Sequence, residues 1–479
     1  MDYHHDVGLG WIGKLKNTIN MKLELKDKRV LVLGLGHTGL SALRWLDRQG
    51  ARLSVADTRE LPPGVEALKA ELPAVKLHTG AFTEAAFNDA EVIVISPGVP
   101  KAEPLVQASI KRGVPVLGDV ELFAQFKPAS AKVIAITGAN GKSTVTTLVG
   151  EICKEAGLKT VVAGNIGLPV LDTLNGDVPD IYVLELSSFQ LETTSMLNAD
   201  AATVLNISED HMDRYTGLED YAQAKARIFV GHGVQVLNRQ DAWSMGMAIQ
   251  NRPLVTFGLD EADAENNYGL KHQADKTFLM RGKQALLDTQ LMKIAGLHNA
   301  ANALAAMALC EAVGIPLPAM LKALREFKGL PHRVEWVADI ANVAFYDDSK
   351  GTNVGATYAA LQGLVSPNSA RKIVLIAGGD GKGQDFSPLR EIVKTNARAV
   401  VLIGRDAPQI KAALAESGVE ILNASSLENA VELAYQVAVK GDAVLLSPAC
   451  ASFDMFRNYV HRAEVFVASV KDLASKEAA

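Results

Sequence analysis

Short β-branched apolar runs recur along the chain, each trailed by a longer stretch in which apolar residues return every three or four positions. The runs 29–33, 52–56, 92–95 and 114–117 read as strands, and the stretches near 38–50, 64–71 and 102–112 read as helices. Such alternation predicts a parallel sheet covered by helices. Lys127-Pro128-Ala129-Ser130 reads as a linker, and the rhythm then restarts. Strands are expected at 132–136, 160–163, 181–186 and 202–207, with helices at 145–153 and 221–229. A more irregular part, about 232–290, leads to a helix at 299–313. After Leu330-Pro331 a third series begins, with strands at 343–346, 372–377, 399–403, 419–422 and 443–446. The pattern predicts an α/β protein of three domains, 21–128, 129–330 and 331–479, behind an N-terminal extension, 1–20.

Composition narrows the class. A length of 479 residues suits about three domains. Hydrophobic residues at 48% and charged residues at 21% are ordinary for a soluble chain with full cores. A net charge of −6 without a basic block argues against nucleic acid as a partner. Cys153, Cys310 and Cys450 lie far apart without ligand spacing, which predicts a reduced, cytoplasmic protein lacking a structural zinc site. No apolar run approaches the roughly 20 residues that span a membrane, and the first residues lack the continuous apolar core of a signal peptide.

The most telling stretch is Thr137-Gly138-Ala139-Asn140-Gly141-Lys142-Ser143-Thr144, between a predicted strand and a predicted helix. Backbone N–H groups of such a loop cradle a polyphosphate, the lysine neutralises it and the hydroxyl holds Mg²⁺. The usual Walker spacing fails, because position 136 is Ile where a glycine is required. Upstream, Gly34-Leu35-Gly36-His37-Thr38-Gly39 follows a strand, and Asp57 ends the next one. That pattern fits a dinucleotide fold with Asp57 on a ribose hydroxyl. A UDP group also presents a pyrophosphate and a ribose, so the same turn could grip a UDP-linked substrate. Thr58 and Arg59 follow, the arginine as a cation for phosphate or uracil. Ser96-Pro97-Gly98 ends the third strand at the sheet's carboxyl edge, where a plain turn reads equally well.

Glu185, at a strand end one strand from the phosphate loop, suits Mg²⁺, which takes one or two carboxylates along with phosphates. His211 emerges among Glu209, Asp210 and Asp213 and suits a metal or a substrate. Lys225 and Arg227 read, on physical grounds alone, as surface charges.

Taken together, the phosphate loop, Glu185-Leu186-Ser187-Ser188-Phe189-Gln190, Asn206-Ile207-Ser208-Glu209-Asp210-His211 and the Lys225 helix closely resemble the middle domain of the Mur ligases of peptidoglycan synthesis. Gly296-Leu297-His298-Asn299-Ala300-Ala301-Asn302 and Leu330-Pro331-His332-Arg333 resemble the same family's ATP-binding elements, and the shortened phosphate loop is that family's form. The likeness runs from about 23 to about 470. It implies a Rossmann-like first domain, a P-loop ATPase-like central domain and a Rossmann-like third. It also implies that Lys225 carries a CO₂-derived carbamate and joins Ser143, Glu185 and His211 around one or two Mg²⁺ ions. ATP would be bound by residues 138–144, Asn302, Arg333 and Asp348. The UDP-linked substrate would meet Thr38, Asp57, Thr58, Arg59, Ser96, Gly98, Asn165 and His211.

The first and third domains resemble the branch that adds D-glutamate to UDP-N-acetylmuramoyl-L-alanine. The signature includes Asp57-Thr58-Arg59, Asp348-Ser349-Lys350-Gly351-Thr352-Asn353, Gly378-Gly379-Asp380-Gly381-Lys382 and Ser447-Pro448-Ala449-Cys450-Ala451-Ser452. Thr352, Lys382, Ser452, Phe453 and Tyr459 are candidates for the D-glutamate pocket, since an acidic substrate wants a lysine and hydroxyl donors. Phe453 stands where the branch has leucine, and Tyr459 where phenylalanine is common. The implied reaction passes ATP's γ-phosphoryl group to a carboxylate and lets an amine displace phosphate, with the third domain closing on ATP in a cytoplasmic monomer. Other Mur ligases and a folylpolyglutamate synthase-like ligase are the alternative enzyme readings. A regulatory protein on a degenerate ligase scaffold and, from the first glycine turn, a dehydrogenase are the readings from other classes.

Overall fold

The computed structural model describes residues 23–262, 264–274, 276–294, 296–365 and 371–477; the expected extension, 1–20, lies outside them. The chain forms two compact units. The first holds the described residues to Ile207, with Glu219–Leu287 and Asn302–Arg325; the second holds Ser208–Leu218, Asp288–Ala301 and the chain from Glu326 onward. No described helix is long and apolar enough to cross a membrane.

The first unit carries two sheets. One is built from β1 (Arg29–Leu33), β2 (Arg52–Asp57), β3 (Lys76–Thr79), β4 (Val92–Ile95) and β5 (Val116–Leu117), all parallel, in the order β3-β2-β1-β4-β5. Leu33 lies level with Ala56 on one side and Ile95 on the other, so the loops opening at Gly34, Asp57 and Ser96 share one edge. Strand order reverses at β1, and in open α/β sheets the crevice beyond such a reversal takes ligands. Strand β3 was not expected, because its four residues are half-buried or exposed at a sheet edge and show no apolar run.

The second sheet contains β6 (Lys132–Thr137), β7 (Thr160–Gly164), β8 (Ile181–Glu185), β9 (Ala201–Val204), β10 (Val234–Asn238), β11 (Leu254–Phe257), β12 (Tyr268–Gln273), β13 (Lys276–Arg281) and β14 (Gln284–Asp288). Their order is β14-β13-β12-β11-β10-β9-β6-β8-β7. The buried β6 again sits at the reversal, and the helix Lys142–Glu155 follows it. The stretch 232–290, expected to be irregular, instead supplies β10–β14. Much of it is an antiparallel β12–β13 hairpin with exposed polar residues, so its strands lack the continuous apolar runs of β6 or β8.

The second unit has β15 (Glu335–Ile340), β16 (Val343–Asp347), β17 (Ile373–Gly378), β18 (Ala397–Ile403), β19 (Glu420–Asn423) and β20 (Ala443–Leu446), ordered β15-β16-β20-β17-β18-β19. Only β15, an unexpected edge strand with mostly exposed or half-buried residues, runs antiparallel. Leu361, Leu389, Val393 and Ile410 pack on one face of the sheet, and Val431, Ala434, Phe466 and Val470 on the other. The sheet is therefore covered on both sides, as parallel strands require.

Candidate functional site

The phosphate loop leaves β6 with its backbone already held. Asn206 accepts from the Asn140 N–H at 2.8 Å and donates from its amide to the Asn140 carbonyl at 3.0 Å, while its own carbonyl takes the Ala139 N–H at 2.9 Å. Gly141 precedes the helix with φ +86°, and a Cβ there would lie 2.5 Å from Asn302 Oδ1. Only glycine fits that backbone and that approach. Lys142 reaches back so that its ammonium donates to the Gly138 and Ala139 carbonyls, both at 2.9 Å. Ser143 and Thr144 are buried in the first turn of the helix.

Lys225 overturns its reading as a surface charge. It is 1% exposed, and its ammonium donates to the Gly138 carbonyl at 3.0 Å and to Thr137 Oγ1 at 3.2 Å, 4.6 Å above the Tyr221 ring. Arg227 likewise turns inward, donating to the Leu191 and Thr194 carbonyls. Lys225 turns inward because the helix Leu218–Ala226 buries that side against the loop, and Arg227, in the turn that follows, bonds the backbone of 191–194 instead; a polar residue type discloses neither.

Glu185 ends β8 level with Ile136 on β6, so it stands beside the phosphate loop. Asn165 donates to its Oε1 at 2.7 Å, and its buried Oε2 has no hydrogen-bond partner among the described residues. A buried, unpaired carboxylate oxygen is costly unless something binds it. Hard oxygen donors at such a place fit a divalent cation.

Seven of the eight candidates for the UDP-linked substrate, Thr38, Asp57, Thr58, Arg59, Ser96, Gly98 and Asn165, line a single cavity of about 540 Å³, which Gln190 also lines. The eighth, His211, belongs to the second unit. Asp57 is occupied within the protein, accepting from the Leu35 N–H at 2.7 Å and from the Arg59 side chain at 2.8 and 2.6 Å. Burial pushes its carboxyl up, but the Arg59 and backbone hydrogen bonds outweigh that and hold it at about 2. Asp57 therefore holds Arg59, which lines the same cavity.

In the second unit, Asp348 follows β16, buried, with Ser447 Oγ donating to it at 2.7 Å. Burial pushes its carboxyl up to about 7 against the pull of Ser447 and Arg333. The neighbouring Asp347 accepts from Ser349 N and Oγ, and His332 Nδ1 lies 2.7 Å from its other oxygen. His332 and Val334 flank Arg333 with φ of +61° and +50°. A β-branched residue in that region is strained. Lys382 pairs with Asp210, which also accepts from Asn353 at 3.3 Å, and the His211 ring is 3.7 Å from the same aspartate. Thr352 is half-buried, Ser452 is buried, Phe453 is 74% exposed, and the Lys350 ammonium sits 4.0 Å over the Tyr459 ring.

Three residues were missed in the sequence. Asn206 carries the phosphate loop, and Gln190 lines the cavity. Arg462, fully buried, donates to the Ser349 carbonyl at 2.8 Å and the Cys450 carbonyl at 3.2 Å, fastening the two loops that flank Asp348 and Ser452. Asn206 and Gln190 stood inside the quoted motifs. Arg462 gave no signal beyond a charge on a helix.

Residues 136–310 match the Mur ligase middle domain, 28–118 the N-terminal domain of MurD-like Mur ligases, and 332–450 the Mur ligase glutamate ligase domain. The chain belongs to the Mur ligase family. It is 68% identical over 455 residues, 95% of this chain and 99% of the relative, to the UDP-N-acetylmuramoylalanine–D-glutamate ligase of Methylobacillus flagellatus. It is 56% identical over 475 residues to the enzyme of the same name from Thiobacillus denitrificans, covering 95% and 98% of the two chains. Among solved structures, the UDP-N-acetylmuramate-alanine ligase MurC of Thermotoga maritima shares the fold, with a TM-score of 0.57 at 21% identity over 93% of this chain and 100% of that one.

Proposed function

We propose that this protein joins D-glutamate to UDP-N-acetylmuramoyl-L-alanine at the expense of ATP, forming an amide bond in cytoplasmic peptidoglycan precursor synthesis. The observation that carries the chemistry is the presence, at one phosphate loop, of buried Lys225 and of a buried Glu185 oxygen without a partner among the described residues. The observation that carries the substrate is the high identity to named D-glutamate ligases along nearly the whole chain.

ATP's γ-phosphoryl group passes to the carboxylate of the UDP-linked substrate, giving an acyl phosphate and ADP. The amine of D-glutamate then attacks the acyl carbon, loses a proton and expels phosphate. Activation is needed because a free carboxylate is a poor acyl donor. Lys142 exchanges its carbonyl contacts for the β- and γ-phosphates, and the loop's N–H groups orient the chain of phosphates. Ser143, Glu185, His211 and a carbamate on Lys225 would hold Mg²⁺, which when bound neutralises the phosphate charge. Carbamate formation takes a neutral amine, adds CO₂ and releases one proton, chemistry open to a lysine that deprotonates readily.

Asn302, Arg333 and Asp348 bind ATP in this reading. Arg59, the 34–39 turn, Ser96, Gly98 and Asn165 receive the UDP-linked substrate. Lys382, Thr352, Ser452, Phe453 and Tyr459 form the D-glutamate pocket. Domains at 21–128, 129–330 and 331–479, and a monomeric state, complete the proposal. Phosphate release with UDP-N-acetylmuramoyl-L-alanine against D-glutamate, L-glutamate, L-lysine and diaminopimelate tests it: turnover with D-glutamate alone is expected, and preference for another amino acid overturns the assignment.

A further inference from the structure

The helix Asp119–Phe126 closes the first sheet's part of the chain, yet both of its leading acids serve a segment of the second sheet's part. Glu121 accepts from the N–H of Ser195 at 2.6 Å, from its hydroxyl at 2.9 Å and from the Met196 N–H at 3.0 Å. Gly118, at the helix start, is pressed so closely that a Cβ would lie 2.3 Å from Thr193 Oγ1. Asp119 accepts through Oδ2 from Gln190 Nε2 at 3.3 Å.

Glu121 holds the turn at Ser195 and Met196 without help from Asp119. Asp119 is buried, and its Oδ1 meets no side-chain donor among the described residues. Such a group is retained at a cost and calls for another role. Gln190 offers one, because it lines the cavity read above as the site of the UDP-linked substrate. Its amide is gripped at both ends: Oε1 accepts from the Ser187 N–H at 3.1 Å and hydroxyl at 3.3 Å, while Nε2 meets Asp119. Flipping the amide would set N–H against N–H and oxygen against carboxylate. The orientation is therefore fixed, and of the two Nε2 hydrogens one is committed and one remains to donate.

We propose that Asp119 is a positioning residue for the UDP-linked substrate, holding Gln190 as a hydrogen-bond donor toward an acceptor oxygen of that substrate. This rests on the cavity's assignment to the UDP-linked substrate. The test is a double-mutant cycle on steady-state constants, with Asp119→Ala, Gln190→Ala and the pair, plus Asp119→Asn, which keeps an acceptor for Gln190. Asp119→Ala is expected to raise KM for UDP-N-acetylmuramoyl-L-alanine about tenfold while KM for ATP stays within about twofold. Asp119→Asn should restore KM to within about threefold of the parent, and Asp119→Ala should add nothing in the Gln190→Ala background. Additive losses, a parallel rise in KM for ATP, or an Asn variant as impaired as the Ala variant would each overturn the proposal. Should Asp119→Ala not fold, the Asn variant and Gln190→Ala still decide, since either a large KM rise in the former or an unchanged KM in the latter sinks it. Failure of the parent protein to use the UDP-linked substrate at all would instead refute the reading of the cavity.

Discussion

Asp119 and Asp348 sit in surroundings that favour the protonated acid. Burial drives the first up to about 6 and the second up to about 7, against roughly 3.9 for an unfolded aspartate. Between those values the folded chain binds protons that the unfolded chain does not. Their contribution to stability is therefore complete below about 4 and is lost as pH rises through 6 to 7. Asp119→Asn removes one such group, so its stability relative to the parent should improve by roughly 2–3 kcal/mol between pH 4 and pH 8. Denaturant titrations at the two pH values check this; a difference that does not change with pH contradicts it. Arg59 is a contrasting case. Its side chain is half exposed, so its pair with Asp57 adds little stability. Arg59→Ala should raise KM for the UDP-linked substrate while moving Tm by no more than about 2 °C. Lys225→Ala should lower kcat roughly a hundred- to a thousandfold, the loss that follows removal of one preorganised stabilising group, and ¹³C-bicarbonate should give the parent, not the variant, a carbamate resonance.

At the scale of elements, the strand ends carry the proposed site residues, and they are also the most legible part. β6, its glycine turn and the following helix announced themselves through an apolar run, a Gly-rich break and a renewed helical period. Gly141→Ala should therefore raise KM for ATP more than tenfold, since the new methyl group meets Asn302; an unchanged KM would remove the steric argument. What stayed hidden were strands that bury little and so carry no apolar run. β3 and β15 are edge strands, and β10–β14 alternate polar and apolar positions too weakly to stand out. The same holds among side chains. Lys225 and Arg462 are written in the sequence as charges, and only packing makes them interior donors to backbone carbonyls. Glu185 was legible as a strand-end carboxylate, but its unsatisfied oxygen was not.

For the whole molecule, ATP ligands are proposed in both compact units: Lys142 and Asn302 in one, Arg333 and Asp348 in the other. If one nucleotide engages all four, small-angle scattering should show a smaller radius of gyration with ATP and Mg²⁺ than without, and an unchanged radius would mean the four do not serve the same ligand.

The helix that carries Asp119 and Glu121 has a consequence for how such a chain can be divided and exchanged. The linker at 127–130 reads as the natural seam between the first sheet and the second. A chimera joined there would nevertheless bring in a foreign helix to meet the native turn at Ser195 and Met196. Continuity of the backbone and independence of the parts are then different things. The transferable module is the first sheet together with residues 187–196, two pieces of sequence that must be inherited as one.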